Sequence, residues 1–359
     1  MPFVDNIEIE SIQMCPLCGT KGQILYSNLR DYTFGAPGKW AMNSCTSCTH
    51  IWLDPCPTIA DIPKVYRSYY THGLTANGST FKNHVRNTRL LNQLVPVITQ
   101  CVRQVQDAVL AVRFGYGELK KGSLSNLIAW TFGFLPGMSQ GASMQVLGLH
   151  AAERGRVLDI GCGNGAILAR LSSLGWDAVG YEMDPIAARF ARENFGLDVR
   201  EGELEKADFV HESFDVVILS HVIEHVHSPV DFLRQVKNLL KSNGKLIILT
   251  PNTNGLGHKY FKECWRGLEP PRHLNCFNAE TLSACVEQSS MRIIKINTLS
   301  RMTRAIWYSS IQIRKAAMSK PIINNNMDYI KSYLMYFTES IVCLICKSVG
   351  EEIFLIAVK

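Results

Sequence analysis

The chain has few charged residues and no long run of charge of one sign. Charged side chains make up 19% of its 359 residues, and the formal net charge is +6. The densest basic stretch, residues 301–320, is interrupted by apolar residues and predicts a solvated helix face. Proteins that bind nucleic acid through its phosphates usually carry a stronger basic excess, so the composition does not favour a nucleic-acid partner.

The sequence also shows no secretory signal and no apolar run that is typical of a membrane span. Residues 1–5 show neither a charged n-region nor an apolar h-region, which predicts a cytoplasmic protein. The apolar stretch 126–138 is too short to span a bilayer, and the stretch 333–349 is interrupted by Glu339 and Lys347. We expect residues 333–349 to pack on the core, with a position on a membrane surface as the alternative.

Cysteine, in contrast, is plentiful, with 12 residues. In a cytoplasmic protein these are expected to be reduced thiols, and two C-x-x-C pairs predict metal ligands. The two pairs comprise Cys15, Cys18, Cys45 and Cys48. They predict a zinc ribbon whose four thiolates leave no open coordination position, so the zinc is structural. His50 and Cys56 lie nearby as less favoured substitutes.

Three alternate glycines, Gly161, Gly163 and Gly165, follow the apolar run that contains Asp159. Glycines at this spacing let the chain turn sharply from strand to helix and bring backbone amides against a ligand. Glu182 ends the next predicted strand, where it can accept hydrogen bonds from both ribose hydroxyls. These residues predict a site for a nucleoside-bearing cofactor.

Two cofactor classes fit this glycine run. With Ala166 the run satisfies the pattern G-x-G-x-x-G/A, in which a helix N-terminus holds the pyrophosphate of a dinucleotide. Asp159 argues against that alternative, because a carboxylate attracts a cationic amino group and repels a diphosphate. S-adenosylmethionine carries such an amino group, so we favour it over the nicotinamide cofactor of a dehydrogenase.

Further motifs follow in order, and with them residues 154–291 resemble a class I S-adenosylmethionine-dependent methyltransferase. Residues 180–185 resemble the acidic loop after the second strand, and residues 201–203 an acidic loop beside the adenine. The fourth, fifth and last strands of the family correspond to residues 214–221, 244–252 and 350–358. The resemblance implies an α/β fold with a doubly wound, seven-stranded, mostly parallel Rossmann-like sheet. An insertion after about residue 300 displaces the last strand.

The resemblance also implies the cofactor and the residues that bind it. S-adenosylmethionine would contact Asp159, Gly161, Gly163, Gly165, Glu182, Met183, Glu203, Ser220 and His221. We predict a zinc-ribbon module at residues 1–62 and a helical linker or cap at residues 63–150. The methyltransferase core follows at residues 151–300, and a helical insertion with the final core strand at residues 301–359.

The acceptor side is predicted on residues 261–274, a loop with a proline pair and charged groups after the fifth strand. Methyl transfer requires alignment and, for a hydroxyl or acidic carbon, removal of a proton. His273 is the preferred base and Glu269 the second; for His273 the structural alternative is a hydrogen bond that fixes the loop. His221 would line the methionine end of the pocket.

Residues 221–225, HVIEH, match an inverted zinc-protease pattern, but they directly follow a strand and lack the context that the motif needs. We therefore assign them no metal. The predicted function is methyl transfer, O- or C-directed, to a small molecule or a sugar or glycan precursor, since a ribbon before such a core resembles bacterial polysaccharide-associated methyltransferases. The alternatives are an RNA or protein methyltransferase that docks through the ribbon, and a non-catalytic scaffold. The sequence carries no signal for the oligomeric state.

Overall fold

The computed structural model describes most of the chain, namely residues 3–4, 6–66, 104–117, 136–202, 204, 207–319 and 326–359. The chain divides into two compact units. The first unit contains Met1–Tyr69 and Phe209–Lys359, and the second contains Tyr70–Asp208. Within the described ranges, no helix is both long and apolar enough to cross a membrane.

The strands of the described chain are β1 (Phe3–Val4), β2 (Ile7–Glu10), β3 (Gly22–Leu29), β4 (Trp40–Cys45), β5 (Ile51–Leu53), β6 (Cys56–Pro57), β7 (Arg156–Ile160), β8 (Asp177–Glu182), β9 (Asp198–Glu201), β10 (Phe214–Ser220), β11 (Leu240–Pro251), β12 (Asn275–Cys276), β13 (Arg292–Leu299) and β14 (Glu352–Val358).

The α-helices are α1 (Ile62–Val65), α2 (Pro136–Gln145), α3 (Ala166–Ser173), α4 (Pro185–Phe195), α5 (Pro229–Leu239), α6 (Leu256–Phe261), α7 (Ala279–Gln288), α8 (Thr303–Ala317) and α9 (Asn326–Ile345). Residues 104–114 are also helical. Short 3₁₀ turns occupy Ile59–Asp61, Ala151–Glu153, Ile223–His225, Lys262–Cys264 and Arg266–Leu268.

The central sheet of the described chain has seven strands in the order β13-β14-β11-β10-β7-β8-β9. In the second unit β7 pairs in parallel with β8, and β8 with β9. In the first unit β10 and β11 are parallel, whereas β14 runs antiparallel to both β11 and β13. Strands covered on both faces are continuously apolar, and Leu246, Ile247, Ile248 and Leu249 of β11 are fully buried. The predicted fold class is confirmed.

The ends of helix α4 follow local sequence signals. Asp184 is the N-cap, and its Oδ1 accepts a hydrogen bond from the backbone N–H of Ile186 at 2.9 Å. Pro185 occupies the first helical position, where its missing N–H costs nothing. The helix ends at Gly196, whose φ of 63° is a left-handed conformation that glycine adopts without strain.

A second, four-stranded sheet carries the cysteine pairs and has the order β12-β5-β4-β3. Strands β3, β4 and β5 are neighbours in sequence and form a meander. Strand β12 comes from the loop after β11, and its Asn275 pairs with Trp52 of β5. We call this four-stranded sheet the ribbon sheet. Its last strand therefore comes from the second chain segment of the first unit, Phe209–Lys359.

Candidate functional site

The glycine run forms the turn that joins β7 to α3. Gly161, Gly163 and Gly165 have φ angles of 73°, 55° and 77°, all in the left-handed region that favours glycine. The backbone N–H groups of Gly161 and Cys162 donate to the carbonyl of Tyr181 at 2.8 and 3.1 Å. These bonds close the turn against the end of β8.

The glycines of this turn have different surroundings. A Cβ atom at Gly165 would lie 2.8 Å from both Ala191 Cβ and Leu197 Cδ1, so this glycine allows α3 to pack closely. At Gly163 a Cβ atom would meet no heavy atom within 4 Å in the described chain. The turn is thus filled on the helix side and open at Gly163.

Glu182, at the end of β8, ties the turn to the start of α4. Its Oε2 accepts from the N–H of Gly163 at 2.7 Å, and its Oε1 accepts from the N–H of Asp184 at 2.9 Å. Burial raises the pKa of this carboxyl, and the two backbone donors oppose that effect. Each oxygen has a second lone pair, so the fixed carboxylate can accept further hydrogen bonds.

Asp159 lies within β7, two residues before the first glycine, and is 1% exposed. Among the residues that the structure describes, no hydrogen-bond donor reaches its Oδ1. Burial, together with the nearby charge of Glu182, raises the pKa of Asp159 to about 8. A buried oxygen without a donor is unfavourable, and an ammonium group would remove that cost. The residues present therefore fit a cationic ligand.

The remaining predicted cofactor residues are less informative. Met183 follows Glu182, and 63% of it is exposed. Glu203 lies outside the described residues. Ser220 is half-buried at the end of β10. The roles of all three stay predictions.

His221 directly follows β10 and has a φ of 58°. Its Nδ1 lies 3.2 Å from Glu224 Oε1, and its Nε2 lies 2.8 Å from Glu352 Oε1. Burial alone would lower the pKa of His221, but the two carboxylates raise it to about 10. His221 is therefore protonated near pH 7 and donates on both sides. A third of its side chain remains exposed.

The two carboxylates beside His221 are themselves held by further donors. Glu224 Oε2 accepts from the hydroxyl of Thr250 at 2.9 Å. Both oxygens of Glu352 accept from Arg301, at 2.7 and 3.0 Å. Sequence reasoning missed Glu352 and Arg301; the only signal for Glu352 is its charge at the beginning of an apolar strand.

His273 lies in the loop between β11 and β12 and is 5% exposed. The carbonyl of Gly267 lies 2.7 Å from its Nδ1 and accepts the ring proton, while Nε2 is 3.5 Å from Glu269 Oε2. Burial lowers the pKa of His273 to about 4, although the nearby Glu269 opposes the effect, so the ring is neutral near pH 7. The loop-fixing hydrogen bond expected as an alternative is present. A role as base stays a prediction.

Glu269 is held by two arginines. Its Oε1 accepts from Arg272 Nε at 3.0 Å, and its Oε2 is paired with Arg266. Burial would raise the pKa of Glu269, but the two guanidinium groups and His273 keep it well below the usual range. Glu269 is thus ionised and fully engaged, as expected for a structural carboxylate.

Arg272 is fully buried and connects this loop to the hairpin between β3 and β4. It forms an ion pair with Asp31 at 2.8 Å, and its guanidinium lies 4.7 Å from the centre of the Phe34 ring. Its Nη1 also donates to the carbonyl of Val65 at 3.3 Å. Nothing in the local sequence around Asp31 indicates this partner.

A histidine cluster lies next to these residues in the first unit. Ligand-type atoms of Glu224, His225 and His273 lie within 4.8 Å of one another. The two imidazole rings are 4.8 Å apart, edge to face, and His225 Nδ1 is 2.9 Å from the hydroxyl of Tyr66. Sequence reasoning missed Tyr66, which precedes a long stretch outside the described residues.

Residues 142–295 match the family model of a methyltransferase domain. This segment is a methyltransferase domain. It contains the glycine turn, Asp159, Glu182 and the histidine cluster apart from Tyr66, so the predicted cofactor and acceptor residues of the core fall within the matched range.

Curated relatives match part of the chain. The ubiquinone biosynthesis O-methyltransferase of Roseobacter denitrificans is 40% identical over 104 residues, and the mitochondrial enzyme of Schizosaccharomyces pombe is 35% identical over 105. The matches cover 28% and 26% of this chain, and the chain spans only 42% and 37% of the length of these relatives.

Solved structures of methyltransferases also resemble the chain. An S-adenosylmethionine-dependent methyltransferase from Archaeoglobus fulgidus is 19% identical, with a TM-score of 0.41; the match covers 66% of this chain and 100% of that chain.

A small open pocket of about 90 Å³ lies beside residues 263–270 of the methyltransferase domain. One wall is formed by residues 27–33 of the ribbon hairpin. The other includes Trp265, Arg266 and Glu269, which belong to the segment predicted to bind the acceptor. The structure thus places part of the predicted acceptor wall at a cavity.

The four predicted zinc ligands lie together, N-terminal to the methyltransferase domain. The Sγ atoms of Cys15 and Cys48 are 3.6 Å apart, those of Cys18 and Cys45 are 3.4 Å apart, and all four lie within 4.8 Å of one another. The backbone N–H groups of Ser47 and Cys48 donate to Cys45 Sγ, both at 3.4 Å. His50 is outside this cluster, since its Nε2 lies 3.0 Å from Asn275 Oδ1.

Proposed function

We propose that this protein transfers a methyl group from S-adenosylmethionine to a hydroxyl group of a small molecule. The observation that carries the proposal is the buried Oδ1 of Asp159, which has no donor in the described chain and lies beside the glycine turn of a methyltransferase domain. Relatives named as O-methyltransferases favour oxygen over carbon as the acceptor atom. A sugar or glycan precursor that carries the hydroxyl remains within this acceptor class.

The cofactor-binding roles follow from the donor and acceptor groups present. When bound, S-adenosylmethionine supplies a methyl group already activated on a sulfonium. Asp159 would accept from the ammonium of the methionine moiety, and the fixed carboxylate of Glu182 would accept from the ribose hydroxyls. The open space at Gly163 lets a ligand approach the backbone. Met183 and Glu203 would contact the adenine.

Among the predicted catalytic residues, His273 is the best candidate for the base. His221 is already protonated near pH 7, and the oxygens of Glu269 are committed to arginines. His273 is neutral, and because its Nδ1–H donates to Gly267, its Nε2 carries the lone pair. Glu269 Oε2, 3.5 Å from this nitrogen, would stabilise the imidazolium formed when His273 takes a proton.

Calorimetric titration with S-adenosylmethionine tests the cofactor site. We expect micromolar binding by the natural sequence and a loss of about 10- to 100-fold in Asp159→Ala and in Glu182→Ala, the range for a hydrogen bond to a charged group. Asp177→Asn, on the exposed start of β8, is the matched control and should bind normally. Absence of binding by the natural sequence would overturn the proposal.

The acceptor and the base are tested together by transfer of a radiolabelled methyl group to phenolic hydroxyl compounds and to nucleotide sugars. His273→Gln should lower kcat by about 100-fold, within the usual range for a general base, and leave the affinity for S-adenosylmethionine unchanged. Normal kcat in this variant would exclude His273 as the base. Cofactor binding without transfer to any acceptor of either class would favour the scaffold alternative.

We also propose that Cys15, Cys18, Cys45 and Cys48 hold a structural zinc ion. Tetrahedral zinc with Zn–S bonds of about 2.3 Å requires sulfur atoms about 3.8 Å apart, close to the separations in this cluster. The N–H donors to Cys45 Sγ would stabilise a thiolate at that position. Because all four ligands are thiolates, the ion would contribute to folding and take no part in methyl transfer.

A further inference from the structure

Helix α9 presents large apolar side chains on its outer face. Ile330, Leu334, Phe337, Ile341 and Ile345 are 57%, 63%, 61%, 62% and 88% exposed. Their spacing of three or four residues places them on one side of the helix, and we call this set the α9 stripe. A helix of 20 residues is about 30 Å long, so the stripe is a continuous apolar surface of the kind that marks an interaction site.

The opposite face of α9 is polar and buried, which fixes the orientation of the helix. Asp328 accepts from Gln312 Nε2 at 3.0 Å and is paired with Lys315, both on α8. Glu339 accepts from the hydroxyl of Thr303 at 2.7 Å. Met335 of α9 also packs against the hydrophobic core, so the helix lies on the unit as expected for residues 333–349, but a helix that only covers a core usually turns its apolar side inward. The polar contacts hold the apolar stripe outward.

Within the described residues, the exposed charged side chains of α8, of α9 and of the short segment after α9 are all basic. Arg304, Lys331 and Lys347 are exposed, whereas the acidic residues of these elements, Asp328 and Glu339, are buried. Two copies of α9 that paired along the stripe would bring like charges together, whereas paired helices usually carry flanking charges of both signs. An anionic surface would complement both the apolar stripe and the lysines.

We propose that the α9 stripe docks on an anionic membrane surface. The apolar side chains would enter the boundary between headgroups and acyl chains, and Lys331 and Lys347 would contact lipid phosphates. This binding is independent of the methyl-transfer proposal, because it uses none of the residues assigned to the cofactor or the acceptor.

Vesicle flotation of the full chain tests the proposal. We expect binding to phosphatidylcholine vesicles that contain phosphatidylglycerol, and weaker binding to phosphatidylcholine alone or in high salt. Replacing Phe337 and Ile341 together by Glu should lower the partition coefficient by about tenfold or more, since two buried apolar side chains are lost. The matched control replaces Ile59 and Val210, 73% and 70% exposed elsewhere, by Glu and should bind normally.

A second variant, Lys331→Glu with Lys347→Glu, leaves the stripe intact and should weaken binding to the phosphatidylglycerol vesicles only. Circular dichroism and light scattering on each variant report folding and self-association. The proposal is overturned if the natural sequence binds neither kind of vesicle or if the Phe337 and Ile341 replacements leave flotation unchanged. It is also overturned if the natural sequence forms a dimer that does not bind vesicles and the Phe337 and Ile341 replacements abolish that dimer, because the stripe would then be a contact between two copies of the chain.

Discussion

At Asp159 the requirements of ligand binding oppose those of stability. The residue is 1% exposed, and in the described chain its Oδ1 has no donor. Ionising such a group in the folded protein costs free energy, and a cationic ligand recovers it. Glu182 differs, because two backbone N–H groups already stabilise its charge. Of the two carboxylates, Asp159 should therefore show the stronger dependence on pH.

The first prediction concerns stability as a function of pH. The pKa of Asp159 is raised from its ordinary 3.8 to about 8, so the folded state favours the protonated carboxyl. The contribution of Asp159 to the stability of the protein without cofactor should therefore fall as pH rises from about 4 to about 8. Asp159→Asn removes the charge and should be more stable at pH 8 by on the order of 1–2 kcal/mol. Urea denaturation at several pH values measures this; Asp177→Asn should follow the natural sequence.

The second prediction concerns the affinity for S-adenosylmethionine at different pH values. A cationic amino group requires ionised Asp159, so affinity should rise by up to about tenfold per pH unit between pH 6 and 7.5. Methylthioadenosine, which lacks the amino group, is the control ligand and should bind with little pH dependence. The same slope for both ligands would show that Asp159 does not contact the ammonium.

At the scale of single elements, the β7–α3 turn combines two separate demands on glycine. One is the left-handed backbone of Gly161, Gly163 and Gly165, and the other is the close approach of α4 and the following loop to Gly165. Gly196, at the end of α4, has only the first demand, because a Cβ atom there would meet nothing within 4 Å in the described chain.

Substitutions at these two glycines therefore measure two effects: Gly196 reports backbone strain alone, and Gly165 reports strain together with steric overlap. Gly196→Ala should cost about 1–2 kcal/mol of unfolding free energy, the cost of a left-handed conformation. Gly165→Ala adds overlap with Ala191 and Leu197 and should cost about 2–4 kcal/mol. Denaturant unfolding of both variants gives the difference. Equal losses would contradict the close packing at Gly165.

The ribbon provides the second prediction for an element. Cys45→Ser should lower the zinc content from about one ion per chain to near zero, and lower the melting temperature, because binding free energy contributes to folding. Cys56→Ser is the matched control, since Cys56 is buried in the same unit but lies outside the four-cysteine cluster. Elemental analysis and thermal unfolding measure both effects. Zinc loss in both variants would argue against the assigned ligand set.

For the whole molecule, features with a local signal could be predicted from the sequence. Strands β7, β8, β10 and β14 are apolar runs, and the glycine turn has its own spacing, so the central sheet and its class were predictable. Three features could not be predicted: the pairing of β12 with β5, the partners of Arg272, and the outward face of α9. Each depends on residues far apart in the chain, and a two-residue strand such as β12 carries no periodicity.

Arg272 shows why such contacts matter for the first unit. Its pairing with Asp31 joins the β3–β4 hairpin to residues 261–274, the segment predicted to bind the acceptor, and both side chains are almost completely buried. Asp31 also accepts from the N–H groups of Thr33 and Phe34, so a useful variant must keep that turn. Asp31→Asn retains Oδ1 as the acceptor for this turn and removes the charge, and its amide NH2 replaces Oδ2, which accepts from the N–H of Ala36 and pairs with Arg272.

We expect Asp31→Asn to lower the unfolding free energy by about 3 kcal/mol, because it leaves a buried guanidinium with one carboxylate instead of two. Adding Arg272→Met removes that uncompensated charge and keeps an apolar stem against Phe34, so the double variant should recover part of the loss. Denaturant unfolding of the two single variants and the double variant measures the coupling. Strictly additive losses would mean that the two side chains are not coupled, so that this ion pair does not help to hold the β3–β4 hairpin against residues 261–274.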